Sequence, residues 1–173
     1  MYVCTVPGDS AVLRAQSIDV GEDMLRSAEL ETLLSKLRKT VTDPSQDGVG
    51  IAAPQVGINR RIICVQRFDK EGEPFECYVN IRIDSLGGEI VRGREGCLSI
   101  PGMRGIVPRH SKICIRYADL EAARANYNAC RSAGPAEVSE TIEGFTAVIF
   151  QHECDHLDGI LYTDRADSLF TAE

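Results

Sequence analysis

The stretch TIEGFTAVIFQHECDHLD, residues 141–158, decides how this chain folds and what chemistry it carries. Its apolar residues return at helical spacing, at Phe145, Val148, Ile149 and Leu157. This spacing predicts a helix over about 141–158. The same stretch contains the pentapeptide HECDH, which makes it the starting point for the rest of the chain.

The pentapeptide matches the pattern H-E-x-x-H. On a helix, residues i and i+4 share a face, so His152 and His156 can hold one metal ion, with Glu153 beside it. A metal lowers the pKa of a bound water from about 15.7 toward 7, and a nearby carboxylate can accept the remaining proton. Two histidines on a polar helix face are the alternative. Two of the three histidines in the chain lie in this apolar helix, which favours a metal-dependent hydrolase.

A catalytic metal site needs a third protein ligand. In the extended pattern H-E-x-x-H-x-x-G-x-x-H the third histidine would fall at Tyr162, and the only later glutamate is Glu173. The ligand is therefore expected upstream. Cys97, in a glycine-flanked loop that follows a predicted strand, is the best candidate, and the alternative is a buried, inert cysteine.

The remaining elements are predicted from periodicity and turn residues. Leu30, Leu33, Leu34, Leu37 and Val41 predict a helix over 24–41, and strands are predicted at 61–68, 75–83, 88–92 and 112–117. The stretch 120–137 has no clear period and is interpreted as an irregular insertion. Together these elements predict an α+β fold, with antiparallel or mixed sheets packed around a central helix carrying the H-E-x-x-H motif, as one domain over 1–173.

Composition narrows the class of protein. The net charge of −7 without a basic run argues against binding to nucleic acid or an anionic membrane. Seven cysteines without a CxxC pair do not suggest a disulfide framework, which fits a reducing compartment. No apolar window approaches the length of a membrane span. We therefore expect a cytoplasmic location.

Three segments resemble the signature motifs of peptide deformylases, in that family's order: GVGIAAPQ at 48–55, EGCLS at 95–99 and QHECDHLDG at 151–159. Pro101, Arg104 and residues 110–112 also resemble the family pattern, so the likeness covers about 10–165. The spacing between the second and third motifs is longer than in compact bacterial members, with the excess near 120–137.

The resemblance implies an activity and a set of residue roles. It implies hydrolysis of the formyl group from the N-terminal formylmethionine of nascent polypeptides, with release of formate. Cys97, His152 and His156 would hold Fe²⁺, which Zn²⁺, Ni²⁺ or Co²⁺ could replace. Glu153 would be the general base, and the Gln55 side-chain amide and the Leu98 backbone N–H would stabilise the oxyanion. For Gln55 the alternative is a solvent-facing loop residue.

Substrate binding is predicted from two sources. Gly48, Gly50 and Gly96 lack side chains, so an extended peptide could approach and pair as an added strand. The resemblance also places four residues near the pocket for the methionine side chain, with core packing as the alternative: Val49, Arg104, Phe145 and Val148. The implied partners are formylmethionyl nascent peptides and, transiently, the ribosome.

Three other functions stay open from the sequence. The first is a metallopeptidase or amidase with the same centre. The second is a non-catalytic module with a structural zinc, closed by Cys154 or His110. Cys154 is two residues from each histidine, so on a regular helix it points away from them. The third is a cysteine nucleophile at Cys97 without a metal.

Overall fold

Two antiparallel sheets and six α-helices make up the part of the chain that the structure, a computed structural model, describes: residues 1–46, 48–128 and 136–172. The first sheet has the order β1-β2-β3, with β1 Gly50–Ala52, β2 Ile62–Gln66 and β3 Phe75–Val79. The second has the order β4-β5-β6, with β7 also pairing β5: β4 Arg82–Cys97, β5 Ile100–Ala118, β6 Glu137–Glu143 and β7 Ser168–Thr171. The helices are α1 Ser10–Leu13, α2 Glu22–Leu25, α3 Ala28–Val41, α4 Leu120–Asn128, α5 Gly144–Leu157 and α6 Tyr162–Arg165. Antiparallel or mixed sheets were predicted, and the named strands of the described residues all pair in the antiparallel direction.

The long hairpin of β4 and β5 positions part of the site. Its strands are 16 and 19 residues long, and Cys97 pairs with Ile100 across a two-residue turn. The predicted strands at 88–92 and 112–117 are only parts of it: the first lies in the middle of β4 and the second near the end of β5. Glycines and charged residues interrupt the apolar pattern along both strands, so the pattern predicts shorter strands. The backbone hydrogen bonds between the strands do not depend on that pattern and continue past the interruptions. The predicted strand 75–83 is divided at Asn80, whose φ is +54°.

The predicted helix 24–41 is two helices. The first ends at Leu25, and Ser27 caps the second, because its hydroxyl accepts a hydrogen bond from the Leu30 N–H. The apolar face of α3, with Leu30, Leu37 and Val41, packs on the first sheet and forms one core cluster.

The prediction of an irregular insertion over 120–137 is wrong for its first part, where α4 forms. The Asp119 carboxylate accepts a hydrogen bond of 2.9 Å from the Ala122 N–H and caps the helix. The segment is rich in alanine, which favours helix but leaves little apolar periodicity to detect. Residues 129–135 lie outside the described residues.

Helix α5 carries the H-E-x-x-H pentapeptide and shares one core cluster with residues of both sheets. Ten of its 14 residues are buried. The predicted start at 141 is too early, since 141–143 belong to β6. The chain turns just after the helix at Gly159, whose φ is +72°, and a Cβ there would lie 2.3 Å from the Arg14 carbonyl oxygen. A glycine is therefore required where α5 ends. In the described part of the chain, no helix has the length and apolar character needed to cross a membrane.

Candidate metal centre

Three predicted ligands converge on one point. Cys97 lies at the end of β4, and His152 and His156 lie one turn apart on α5. One ligand atom from each side chain lies within 4.8 Å of the others, and Cys97 Sγ is 3.2 Å from His156 Nε2. Both the chemistry and the spacing of one sulfur and two imidazole nitrogens fit a divalent transition metal.

The electrostatics of the centre favour metal binding. Burial would raise the pKa of Cys97, but His156 and His152 outweigh it and lower that pKa well below its usual value. A thiolate is the form of cysteine that binds metals. The His152 Nδ1 atom lies 2.8 Å from Glu95 Oε2, so with Glu95 ionised this nitrogen donates its proton and leaves Nε2 for the centre.

A buried network of ion pairs contacts His152 through Glu95. Burial would raise the pKa of Glu95, but hydrogen bonds from His152 and Arg109 lower it to about 2. The Arg109 guanidinium donates to Glu95 at 2.8 and 3.0 Å and to Asp155 at 2.5 Å, and Arg165 makes two further bonds to Asp155. This network was not predicted from the sequence. Glu95 and Asp155 lie inside the quoted motifs, but only the tertiary structure shows that Arg109 contacts both.

Glu153 is buried beside the centre, with 4% of its surface exposed. Burial raises the pKa of its carboxyl to about 7. Its Oε2 atom has no hydrogen-bond partner among the described residues. A Cβ added at Gly50 would lie 2.5 Å from Glu153 Oε1, so the missing side chain at Gly50 makes room for the carboxylate. Gly50 was predicted to contact the substrate peptide, and its contact with Glu153 was not predicted from the sequence.

The Gln55 side chain faces the centre from the 3₁₀ helix Ala53–Val56. It is 1% exposed, so the alternative of a solvent-facing residue is wrong. Its Oε1 accepts a bond of 2.8 Å from the Ala52 N–H, and its Nε2 donates to Ser99 Oγ at 3.2 Å and to Cys97 Sγ at 3.4 Å. The amide orientation is thus fixed with its NH₂ group toward Cys97. Leu98 lies in the adjacent hairpin turn.

A cavity of about 490 Å³ opens onto the centre. The seven residues predicted to bind substrate all line it: Gly48, Val49, Gly50, Gly96, Arg104, Phe145 and Val148. Phe145 is 57% exposed, so core packing is the wrong interpretation for that residue. The Arg104 side chain lies against Gly96, where an added Cβ would come within 2.6 Å of its guanidinium. Residues not predicted also line the cavity, among them Ser45, Gln46, Arg94 and Pro101.

The candidate fourth ligands lie elsewhere. Cys154 packs into the core cluster on the other side of α5, and the group of potential metal ligands found among the described residues includes neither Cys154 nor His110. Tyr162, at the position of a third histidine in the extended pattern, stacks its ring on His152 with centroids 6.0 Å apart.

Hydrolysis of an amide needs a water whose pKa is lowered, a base beside that water and hydrogen-bond donors for the oxyanion. The three ligands, Glu153 and the Gln55 amide meet these needs, which places the chain among the metal-dependent hydrolases. Within that class, the family model for polypeptide deformylase matches residues 2–171. The chain belongs to this family.

Individual relatives agree with that assignment. The chain is 37% identical over 153 residues to peptide deformylase 1 of Nitrosomonas europaea, an alignment that covers 85% of this chain and 78% of the relative. It is also similar to crystal structures of the class I type b peptide deformylase from Acinetobacter baumannii. The structure with actinonin bound has a TM-score of 0.78 and 32% identity, covering 96% of this chain and 98% of that one. The structure with Met-Ala-Ser bound has a TM-score of 0.77 and 32% identity, covering 94% and 96%.

Proposed function

We propose that this chain removes the formyl group from the N-terminal formylmethionine of nascent polypeptides, releasing formate and a free amino terminus. The observation that carries the proposal is the convergence of Cys97, His152 and His156 beside a cavity. Cys97, His152 and the buried Glu153 line that cavity. Family membership over residues 2–171 supports the same activity.

Cys97, His152 and His156 would hold the metal, and we infer Fe²⁺, with Zn²⁺, Ni²⁺ or Co²⁺ as possible replacements. A divalent cation held there supplies Lewis-acid activation of water and of the carbonyl oxygen. The thiolate character of Cys97 and the hydrogen bond from His152 to Glu95 support this ligand set. Glu95 then acts through His152, whose ring it orients.

Glu153 would move the protons. A carboxyl with a pKa of about 7 can both accept and return a proton near neutral pH. It accepts one proton from the water as the water oxygen bonds to the formyl carbon. It returns this proton to the amide nitrogen as the carbon–nitrogen bond breaks, so that the peptide leaves as a neutral amine. The unpartnered Oε2 atom supports this role, because no protein donor competes for it among the described residues.

Gln55 and Leu98 would stabilise the negative oxygen that develops on the formyl carbon. The Gln55 amide is neutral, and the Ala52 N–H holds it with its NH₂ group toward Cys97. The N–H that donates to Cys97 Sγ would turn to the oxyanion, while the other keeps its bond to Ser99. Leu98 contributes its backbone N–H from the hairpin turn. One such donor typically lowers the barrier by about 3 to 4 kcal/mol.

The substrate peptide would lie along β1. Among the described residues this strand lies at the edge of the first sheet and pairs with β2 alone, so its other edge is available to an added strand. Gly48, Gly50 and Gly96 allow the close approach. The unbranched methionine side chain would then enter the cavity between Val49, Arg104, Phe145 and Val148.

We infer one catalytic domain over 1–173, with α5 as its central helix. We infer a cytoplasmic location and transient contact with the ribosome, without direct binding to nucleic acid or membrane, which fits the net charge of −7.

The test is formate release from formyl-Met-Ala-Ser by protein purified without oxygen, with metal content measured on the same sample. Acetyl-Met-Ala-Ser separates a deformylase from a general amidase. We expect Glu153→Gln to keep its metal and lose at least about 100-fold in rate, and Cys97→Ser to lose both metal and activity. Cys114→Ser, a partly buried cysteine on β5 away from the cavity, is the matched control. A metal-loaded wild type that cleaves both peptides equally, or neither, would refute the proposal.

A further inference from the structure

Two cysteine sulfur atoms lie together outside the metal centre. Cys64 on β2 and Cys77 on β3 occupy directly opposite positions in the antiparallel register. Their Sγ atoms are 2.7 Å apart, and both residues are free thiols. They lie under α3, on the face of the first sheet that forms the core cluster with Leu37 and Val41.

The register also defines which kind of pair this is. The Arg67 N–H bonds to the Pro74 carbonyl at 2.8 Å and the Asn80 N–H bonds to the Arg61 carbonyl at 2.7 Å, so these two opposite pairs are hydrogen-bonded. Because hydrogen-bonded and non-hydrogen-bonded pairs alternate along an antiparallel ladder, Cys64 and Cys77 form a non-hydrogen-bonded pair. In such pairs the Cα atoms are about 4.5 Å apart, which is within the range that a disulfide spans.

We propose that Cys64 and Cys77 are a reversible oxidation site that forms a cross-strand disulfide when the protein meets a hydroperoxide. The site is independent of the metal centre and of the function proposed above. It uses two thiols that are already in contact, so the strands need no rearrangement before the bond forms.

The two thiols have different roles. Cys77 is partly exposed, whereas Cys64 is fully buried. Contact with Cys64 lowers the pKa of Cys77, burial opposes this, and Arg38, whose guanidinium is 4.0 Å from Cys77 Sγ, acts in the lowering direction. Cys77 is therefore the more acidic and the more accessible thiol of the pair, and it is the one that meets the oxidant first.

The reaction balances with hydrogen peroxide as the oxidant. The Cys77 thiolate attacks one peroxide oxygen, the O–O bond breaks, and the hydroxide that leaves takes up a proton to become water. Cys64 then attacks the Cys77 sulfenic sulfur, the S–O bond breaks and the S–S bond forms. The departing hydroxyl leaves as water with the Cys64 proton. The two thiols lose two electrons in total and the peroxide gains them.

The sequence makes this bond directly measurable. Trypsin cleaves after Arg61, Arg67, Lys70 and Arg82, which places Cys64 in the peptide 62–67 and Cys77 in the peptide 71–82. Metal-loaded enzyme would be treated with hydrogen peroxide, alkylated, and digested without reductant. We expect the linked peptide pair to appear, with loss of alkylation at both cysteines and full recovery after dithiothreitol.

The controls separate this site from general thiol oxidation. Cys114→Ser should keep the linked pair, because Cys114 faces Ser85 and Thr141 rather than a second cysteine. Cys77→Ser and Cys64→Ala should both abolish it. Oxidation should raise the melting temperature of the wild type and of Cys114→Ser, but not of Cys77→Ser. The proposal is overturned if Cys77 remains alkylatable while other thiols oxidise, or if it proceeds to a sulfinic acid without any linked peptide.

Discussion

Replacing Gly50 with alanine tests whether the position of Glu153 controls the rate. The new Cβ would lie 2.5 Å from Glu153 Oε1 and 2.9 Å from its Cδ and Cγ, whereas ordinary contacts begin at 3.4 Å. The carboxylate or the strand must therefore move by about 0.9 Å in a close-packed environment. A displacement of about 1 Å at a catalytic group can cost about 100-fold in rate, equivalent to about 2.7 kcal/mol in the barrier.

The assay is kcat/KM for formate release, with metal content and melting temperature measured on the same protein. Glu153 is not a proposed ligand, so Gly50→Ala should bind its metal normally. Because the added Cβ meets Glu153, the loss should fall mainly on kcat, whereas a weaker substrate contact at Gly50 would appear in KM. Gly93→Ala is the matched control, since a Cβ on that strand glycine meets nothing within 4 Å. If Gly50→Ala kept more than half of the wild-type kcat/KM, the reasoning about the Glu153 position would be refuted.

Three further predictions concern the surroundings of the site. Glu95→Gln should weaken metal binding by about 10-fold, because a neutral amide is a poorer partner for the histidine it orients; competition with a chelator measures this. Arg109→Met should lower the free energy of unfolding by about 3 to 5 kcal/mol in urea denaturation, because Glu95 would stay buried without its arginine and Asp155 would keep only the more exposed Arg165; a loss below about 1 kcal/mol would contradict the structure. The hydrogen bond from Arg67 lowers the pKa of Asp69. The stabilisation that this pair provides is therefore fully present above the unfolded pKa of Asp69, about 3.9, and is lost as the pH falls through its lower folded pKa. Urea titrations between about pH 5 and 2 should therefore show a steeper loss of stability in the wild type than in Asp69→Asn.

The parts of the fold that were predictable carry their signal locally. The apolar periodicities of α3 and α5 follow from contacts within one helix and one core face, so both helices were expected close to their observed positions. The start of α3 was missed although Ser27 is a typical N-cap residue. The helix α4 was missed because alanine favours helix without marking an apolar face.

The rest depends on pairing between distant residues. The hairpin of β4 and β5 extends through glycines because its stability comes from the ladder and not from side-chain alternation. Cys97 and His156 could be predicted as site residues because they lie in sequence motifs. The ion pairs by which Arg109 joins Glu95 to Asp155 could not be predicted. The contact between Cys64 and Cys77 could not be predicted either, because a separation of 13 residues does not indicate a contact until the register of β2 and β3 is known.

The burial of α5 has a consequence for the evolvability of this protein. Ten of its 14 residues are buried, facing either the core or the site, so a mutational library directed at this helix would yield mostly unfolded or metal-free variants. The rim of the cavity is different, because Phe145 is 57% exposed and Val49 is 36% exposed. Selection for altered substrate preference should therefore accumulate changes at these rim positions and leave most of the helix invariant.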